Sequence, residues 1–131
     1  MDVSPDGSTL AILISNQQRF QGRLVRVAVD GSSAQDLYGP FRSFGPAVGR
    51  VRWSSDGREI FFARADEQVN KLEIMRLSSE GGRLVSTGIS TEVLQGLAPS
   101  PDGKRLAYGG SSGANSQLWA LENVSASLKR P

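Results

Sequence analysis

Ser4-Pro5-Asp6-Gly7, Ser54-Ser55-Asp56-Gly57 and Ser100-Pro101-Asp102-Gly103 are three copies of one tetrapeptide, and a short apolar segment follows each copy. Their aspartates are separated by 50 and then by 46 residues. A period of about 20–50 residues is typical of one supersecondary unit that is used several times and buries its faces against its neighbours. The sequence therefore predicts a repeat architecture.

Other segments keep the register of the tetrapeptide. An apolar segment begins 18 residues after each of the first two aspartates and 16 residues after the last one, and these segments are Leu24–Val27, Ile74–Leu77 and Leu118–Leu121. The first two units then carry an acidic-glycine pair at the same offset, Asp30-Gly31 and Glu80-Gly81. Agreement at several separate points indicates that the whole unit repeats, and not the tetrapeptide alone.

The tetrapeptide has the chemistry of a hairpin turn. Proline fixes φ near −65°, aspartate hydrogen-bonds its own backbone, and glycine adopts the left-handed conformation that closes the turn. We therefore assign turn-forming roles to Asp6, Gly7, Asp56, Gly57, Asp102 and Gly103. The predicted strands around the turns are Val51–Trp53, Glu59–Arg64, Gly96–Ala98 and Lys104–Tyr108, with outer strands at Gln35–Tyr38 and Leu84–Thr87 and polar loops at Ser15–Gly22, Ala65–Lys71 and Gly109–Ser116.

Four-stranded units of this period, arranged radially, form a β-propeller. The three tetrapeptides and the strands that follow them resemble the TolB-like propeller repeat over nearly the whole chain. We expect an all-β fold: one segment, residues 1–131, forming a partial β-propeller of about three four-stranded antiparallel blades. The approximate blades are residues 1–40, 47–88 and 93–128.

The resemblance implies a complete propeller of about six blades, twice the number in this chain. Either the chain is part of a larger propeller, or two copies close one six-bladed ring as a homodimer. The first unit is expected to lack an inner strand, because the chain starts at the turn tetrapeptide, and this favours the larger propeller with missing blades. The resemblance also favours a bacterial, periplasmic or other extracytoplasmic location, although no signal peptide precedes the first repeat.

Composition argues against several classes of function. The chain has 131 residues, a formal net charge of +2 from 15 basic and 13 acidic residues, no histidine and no cysteine. Its basic residues are scattered, so we expect no nucleic-acid partner. No apolar run approaches the roughly 20 residues that span a bilayer. Without histidine the commonest general base and metal ligand is missing, and we expect no cofactor, no metal and no catalytic residues.

Two patterns suggest chemistry, but each has a simpler structural interpretation. Gly109–Gly113 matches the G-x-S-x-G nucleophile elbow, which needs a strand-to-helix turn and a histidine base, whereas here the motif lies between predicted strands. The repeated aspartates could be imagined as a metal or acid-base set, but equivalent positions in separate turns do not converge on one ion. We interpret the first pattern as a hairpin loop and the second as turn chemistry.

The connection Gly39–Gly49 is the best candidate for a partner-binding surface. It carries Phe41, Arg42 and Phe44 between glycines and prolines, and Arg50 follows it. Aromatic and arginine side chains are enriched at interface hot spots, so we expect these four residues to contact a protein partner. The alternative is a loop that folds over a neighbouring blade. Trp53, Phe61 and the other strand aromatics are expected to pack between blades.

The function expected from these features is a non-catalytic propeller module for protein or ligand interaction, as part of a larger scaffold or sensor protein. The alternative is the propeller portion of a prolyl-oligopeptidase-like hydrolase, whose catalytic domain is absent from this chain. A propeller that holds a small molecule or ion in its channel is a third class, for which the sequence specifies no chemistry.

Overall fold

A computed structural model of the chain describes residues 1–16, 18–43, 50–66, 68, 71–112 and 115–122. These residues form eleven strands and no helix, in three antiparallel sheets of four, four and three strands. The predicted fold class is confirmed. No helix in this part of the chain is long and apolar enough to cross a membrane.

Each sheet is a meander in which consecutive strands pair, and we call the sheets the first, middle and third blades. The first blade contains β1 (Asp2–Val3), β2 (Thr9–Asn16), β3 (Gln21–Ala28) and β4 (Ala34–Arg42). The middle blade contains β5 (Val51–Trp53), β6 (Glu59–Asp66), β7 (Lys71–Ser78) and β8 (Val85–Thr91). The third blade contains β9 (Val93–Pro99), β10 (Arg105–Ser112) and β11 (Asn115–Glu122).

The structure corrects several predicted boundaries. The first unit does have an inner strand, since β1 pairs with β2 through Asp2↔Ala11 and Val3↔Leu10. The outer strands are longer than predicted, and the polar loops are shorter, because cross-strand pairing continues through polar residues such as Ser15↔Gly22. Residues 124–128, which the sequence leaves available for an outer strand of the third blade, lie outside the described residues.

The three tetrapeptide turns are built identically. In each, the serine hydroxyl donates to the aspartate Oδ1 at 2.5–2.7 Å and accepts the backbone N–H five residues after that serine at 2.9–3.0 Å. The aspartate Oδ1 also accepts the N–H two residues further on. Gly7, Gly57 and Gly103 have φ of 72–75°, a region that side chains with a Cβ rarely adopt. The turn chemistry thus fixes where β1, β5 and β9 end and where the following strands begin.

The core lies between the blades, in two layers. One layer joins the first and middle blades and contains Ala11, Leu24, Phe41, Val51, Trp53, Ile60, Phe62, Met75 and Leu77. The other joins the middle and third blades and contains Phe61, Ala63, Leu72, Ile74, Ile89, Leu94, Leu97 and Leu106. Alternate residues of the middle strands therefore enter opposite layers, as expected for a sheet that is covered on both faces.

Polar contacts also join neighbouring blades near their inner strands. The Asp2 carboxylate accepts the Trp53 N–H at 2.9 Å, and the Trp53 indole donates to the Asp2 carbonyl at 3.1 Å. Arg52 contacts the third blade, since its Nε donates to the Leu97 carbonyl at 3.1 Å. These contacts hold β1, β5 and β9 side by side, so the three blades form one continuous arc.

Candidate functional site

The arc presents two rims to solvent. The tetrapeptide turns and the β3–β4 and β7–β8 turns lie on one rim, which we call the Asp-Gly rim. The opposite rim carries the β2–β3 turn around Phe20, the end of β4 at Pro40–Arg42 and the end of β6 at Asp66. Phe41 and Arg42, two of the residues predicted to bind a partner, lie at the end of β4 and therefore on the opposite rim, and Arg50 directly precedes β5.

The carboxylates of the Asp-Gly rim are used by their own turns. The hydroxyl of Ser4, followed by the N–H and hydroxyl of Ser8, lowers the pKa of Asp6 to about 2. A serine hydroxyl and a backbone N–H likewise lower the pKa of Asp56 and of Asp102. Hydrogen bonds donated to the charged form produce such shifts without a metal or a catalytic role. Among the described residues, no group of three or more acidic side chains is placed to hold a metal ion.

A cleft of about 680 Å³ separates the first and middle blades on the Asp-Gly rim, between the turns of Asp6 and Asp56. Its central cation, Arg26, donates to the Ser79 carbonyl at 2.8 Å and to Gln35 at 3.2 Å, and lies 3.3 Å from the Glu80 carboxylate. Arg26 therefore joins two blades. The charged groups of this cleft serve the fold, which makes it a weaker candidate site than its volume suggests.

On the opposite rim, Phe41 is largely buried. Its side chain is only 7% exposed, and its ring packs on Tyr38 and Phe62 with centroid separations of 5.7 and 5.5 Å. Gly22 makes this possible, because a Cβ at that position would lie 2.8 Å from the Phe41 ring. The middle blade has Leu72 at the position of Gly22, so in the first blade the Phe41 ring occupies space that a strand side chain fills elsewhere. Phe41 therefore has a packing role, and its predicted contact with a partner stays a prediction.

The other predicted partner residues are placed differently. Arg42 and Arg50 are exposed, whereas Phe44 lies outside the described residues. Gly109–Ser112 of the G-x-S-x-G pattern belongs to β10, which pairs with β11. These four residues are therefore part of a paired strand, and they do not form the strand-to-helix turn that a nucleophile elbow requires.

Phe20 is a candidate binding residue that sequence analysis missed. Its side chain is 57% exposed, and its backbone has a φ of 52°. Left-handed backbone is unfavourable for a bulky side chain and is commonest for glycine and asparagine. The middle blade has Asn70 at the corresponding position of its sequence, 50 residues further on. The contrast between Phe20 and Asn70 was a signal available from the repeat alignment.

Local hydrogen bonds hold Phe20 in this conformation. The Asn16 side-chain oxygen accepts the N–H groups of Gln18 at 3.0 Å and Arg19 at 3.2 Å, and the Phe20 carbonyl accepts the Ser43 N–H at 2.8 Å. Asp66 makes the first of these contacts in the middle blade by accepting the Gln68 N–H. The turn is therefore anchored both to β2 and to the end of β4, and it presents its aromatic ring to solvent.

Phe20 lies in a shallow cleft of about 410 Å³ together with Arg19, Pro40 and Arg42. We call these four residues the Phe20 surface. A second cleft of about 510 Å³ continues from Pro40 and Arg42 to the middle blade, where Arg64 donates to the Tyr38 hydroxyl at 3.1 Å and pairs with Glu73 at 3.3 Å. The Phe20 surface thus combines an exposed aromatic ring with Arg19 of the β2–β3 turn and Arg42 at the end of β4, a composition typical of protein-binding hot spots.

Antiparallel four-stranded sheets packed face to face around their inner strands define a β-propeller, and the chain forms an arc of such blades. No protein-family model matches the sequence, and no curated protein matches it. Solved structures do match.

A putative TolB from Agrobacterium tumefaciens superposes with a TM-score of 0.73 at 17% identity, over 94% of this chain and 44% of that one. TolB from Acinetobacter baumannii gives 0.71 at 18% identity, over 92% of this chain and 29% of that one. The β-propeller domain of the Trilobed protease from Pyrococcus furiosus gives 0.69 at 17% identity, over 95% of this chain and 38% of that one. The resemblance to TolB-like propellers is confirmed at the level of the fold, and the chain spans less than half the length of each of these structures.

Proposed function

We propose that the chain is a non-catalytic propeller module that binds a protein partner through the Phe20 surface. The partner segment carries acidic residues beside an aromatic or aliphatic side chain. We further propose that it serves a larger extracytoplasmic scaffold or sensor, as its resemblance to TolB-like propellers suggests.

The observation that carries the proposal is the exposed, left-handed Phe20. An aromatic ring in water gives up the free energy that its burial would yield, and its backbone is unfavourable as well. The aligned repeat has asparagine, Asn70, at this position of the sequence, and asparagine tolerates a left-handed backbone better than phenylalanine does. Burial against a partner would explain why a phenylalanine stands here despite its exposed ring and its unfavourable backbone conformation.

Charge specifies the chemistry of that partner. Arg19 and Arg42 line the cleft around Phe20, and Arg50 is exposed after the end of β4. Guanidinium groups form paired hydrogen bonds with carboxylates, and their attraction to an acidic segment increases the rate of encounter. An aromatic anchor flanked by such groups fits a short acidic segment with one apolar side chain.

The test is selection of displayed random peptides on the wild-type chain and on Phe20→Asn. The wild type is expected to enrich peptides that combine Asp or Glu with an aromatic or aliphatic residue. The selected peptides should bind Phe20→Asn about 30-fold more weakly, as expected for loss of an aromatic hot spot. Gln18→Ala is the matched control, because it changes an exposed side chain of the same turn while its backbone contact to Asn16 is retained.

Two results would contradict the proposal. One is equal enrichment on the wild type and Phe20→Asn. The other is selected peptides without acidic residues, whose binding Arg19→Glu leaves unchanged. Thermal melting of each variant would show that it is folded, so that lost binding is not confused with lost structure.

The second candidate function is the propeller portion of a hydrolase. It is favoured by the similarity to the propeller domain of the Trilobed protease. In that case this chain would act by contacting a separate catalytic domain, since it has no histidine of its own. The peptide selection separates the two candidates, because a surface that docks a folded domain is not expected to enrich short acidic peptides.

A further inference from the structure

The two ends of the arc carry apolar sheet faces that no sheet of the described residues covers. On the first blade this end face consists of Val3, Leu10, Ile12, Val25 and Val27, of which Val25 is buried and the other four are exposed or half-buried. At the repeat offset of 50 residues, these positions correspond to Trp53, Ile60, Phe62, Met75 and Leu77, which pack the middle blade onto the first. Val3 is 50% exposed whereas Trp53 is 7% exposed, although both occupy the same position in their blades.

The third blade ends in a face of different character, formed by Ala98, Ala107, Gly109, Leu118 and Ala120. Strand pairing aligns Leu118 with Leu24 and Ile74, since the three lie opposite Gly109, Leu13 and Ala63 respectively. Leu24 and Ile74 are completely buried between blades, whereas Leu118 is 81% exposed. Leu118 is therefore an inter-blade packing residue without a neighbouring blade.

The two end faces correspond in residue positions to the two sides of an interface inside the arc. Inside the arc, the bulky face of the middle blade, with Ile60 and Phe62, packs against a first-blade face that has the small Ala11 beside Leu24. The third-blade end has the same composition, with Ala107 at the position of Ala11 and Leu118 at the position of Leu24. Each end of the arc thus presents one half of an interface that the molecule already forms.

These halves do not meet within the described arc, because they lie at opposite ends of three blades and propellers close with about four to eight. We propose that a second copy of this chain covers both ends. The third-blade face of each copy packs on the first-blade face of the other, and six blades close one ring with a two-fold axis. The contact is head to tail, but the ring limits it to two copies.

Light scattering after size-exclusion chromatography tests the proposal on the wild-type chain at micromolar concentration. We expect a discrete dimer, with twice the chain mass of 14.0 kDa. Leu118→Asp and Val3→Asp each place a charge in both interfaces of the ring and should give monomers. Ser86→Asp is the matched control, because it adds the same charge at an exposed position on the outer strand of the middle blade and should remain dimeric.

Mixing the two monomeric variants gives the sharpest result. In a mixed dimer both charges fall in one interface and the other interface is wild type, so the mixture should recover dimers that neither variant forms alone. Circular dichroism checks the native fold of each variant. Leu118→Ala introduces no charge and should weaken dimerisation about tenfold. A monomeric wild type, assemblies larger than a dimer, or a dimer that Leu118→Asp leaves intact would overturn the proposal.

Discussion

The first and middle blades have the same strands in the same register, yet they stand in different surroundings. The middle blade is covered on both faces. Four residues of β6 and β7 face the first blade, and each is at most 3% exposed: Ile60, Phe62, Met75 and Leu77. The first blade has Leu10, Ile12, Val25 and Val27 at these positions; no sheet of the described residues covers them, and all but Val25 are half-buried. Apolar residues at matching positions indicate that both faces are built for a neighbour, although only one has its neighbour among the described residues.

A repeat in the sequence does not distinguish the orientation of a side chain from its burial. The repeat specifies which residues point towards a neighbouring blade, since side chains alternate along a strand. Burial depends in addition on whether that blade is present. The loss of stability caused by a substitution therefore depends on the neighbouring blade as much as on the residue that is replaced. Equivalent substitutions in the first and middle blades measure how much the neighbouring blade contributes.

The largest effect is expected from Leu77→Asp compared with Val27→Asp. Leu77 is 1% exposed, so a carboxylate there is buried without a partner and should cost about 4 kcal/mol or more, enough to unfold a domain of ordinary stability. Val27 is half-buried at the end of the arc, and the same change should cost about 1–2 kcal/mol.

Urea unfolding measures both changes, in a Leu118→Asp background so that a second copy does not cover Val27. Equal losses of stability at the two positions would contradict the assignment of Val27 to an uncovered face. A negligible effect of Leu77→Asp would contradict the inter-blade core itself.

The next effect concerns the different ways in which the two blades fill one position. Gly22→Ala places a Cβ 2.8 Å from the Phe41 ring and should destabilise the chain by about 1–3 kcal/mol, the usual range for overpacking. Phe41→Leu alone should also destabilise it, through lost packing on Tyr38 and Phe62.

The double variant decides the mechanism. If the Phe41 ring occupies the space above Gly22, the smaller leucine accommodates the new methyl group and the double variant loses less than the two single losses combined. Strictly additive losses, measured by urea unfolding, would mean that Gly22 and Phe41 do not share this space.

Phe41 also shows why part of the candidate site could not be predicted from sequence. The fold class and turns followed from local chemistry, because Ser-x-Asp-Gly makes the same hydrogen bonds in every copy. The environment of Phe41 depends on Gly22, nineteen residues earlier and on another strand. Glycine and proline around Phe41 predicted an exposed connection, but pairing of Gly22 with Phe41 extends β4 to Arg42.

Phe20 and β1 were missed for different reasons. The loop prediction at Ser15–Gly22 treated Phe20 as an unremarkable loop residue, although comparison with Asn70 in the aligned repeat would have identified it. The inner strand β1 has only two residues, too few for a pattern to indicate, and it is specified by its contacts with Ala11, Leu10 and Trp53. Local patterns thus predict the repeat well, and the departures from the repeat require the packed structure.

A smaller effect is expected from pH, and here the blades should behave alike. Because the pKa values of Asp6, Asp56 and Asp102 are lowered in the folded state, the unfolded chain binds protons more readily in acid. Their contribution to stability is present above the ordinary aspartate pKa of 3.8 and is lost as the pH falls towards about 2.

NMR titration of the three carboxyl groups should find Asp6 ionised to the lowest pH, because the Ser8 hydroxyl gives it a donor that Asp56 and Asp102 lack. Replacing all three with asparagine should flatten the dependence of stability on pH between about 5 and 2. An unchanged acid-denaturation profile in that variant would show that other carboxylates control the acid transition.

The smallest effect has the opposite sign. Phe20→Asn gives the first blade the residue that the middle blade has at this turn, and asparagine tolerates the φ of 52° better than phenylalanine does. The ring is 57% exposed, so little packing is lost, and the variant should be more stable by about 0.5–1 kcal/mol. Gln18→Ala in the same turn should change stability by less than about 0.5 kcal/mol.

A substitution that strengthens the fold and weakens peptide binding would locate the function at Phe20, because a residue kept for stability alone cannot give both results. Loss of stability in Phe20→Asn, measured by thermal and urea unfolding, would instead make Phe20 part of the packing of the first blade.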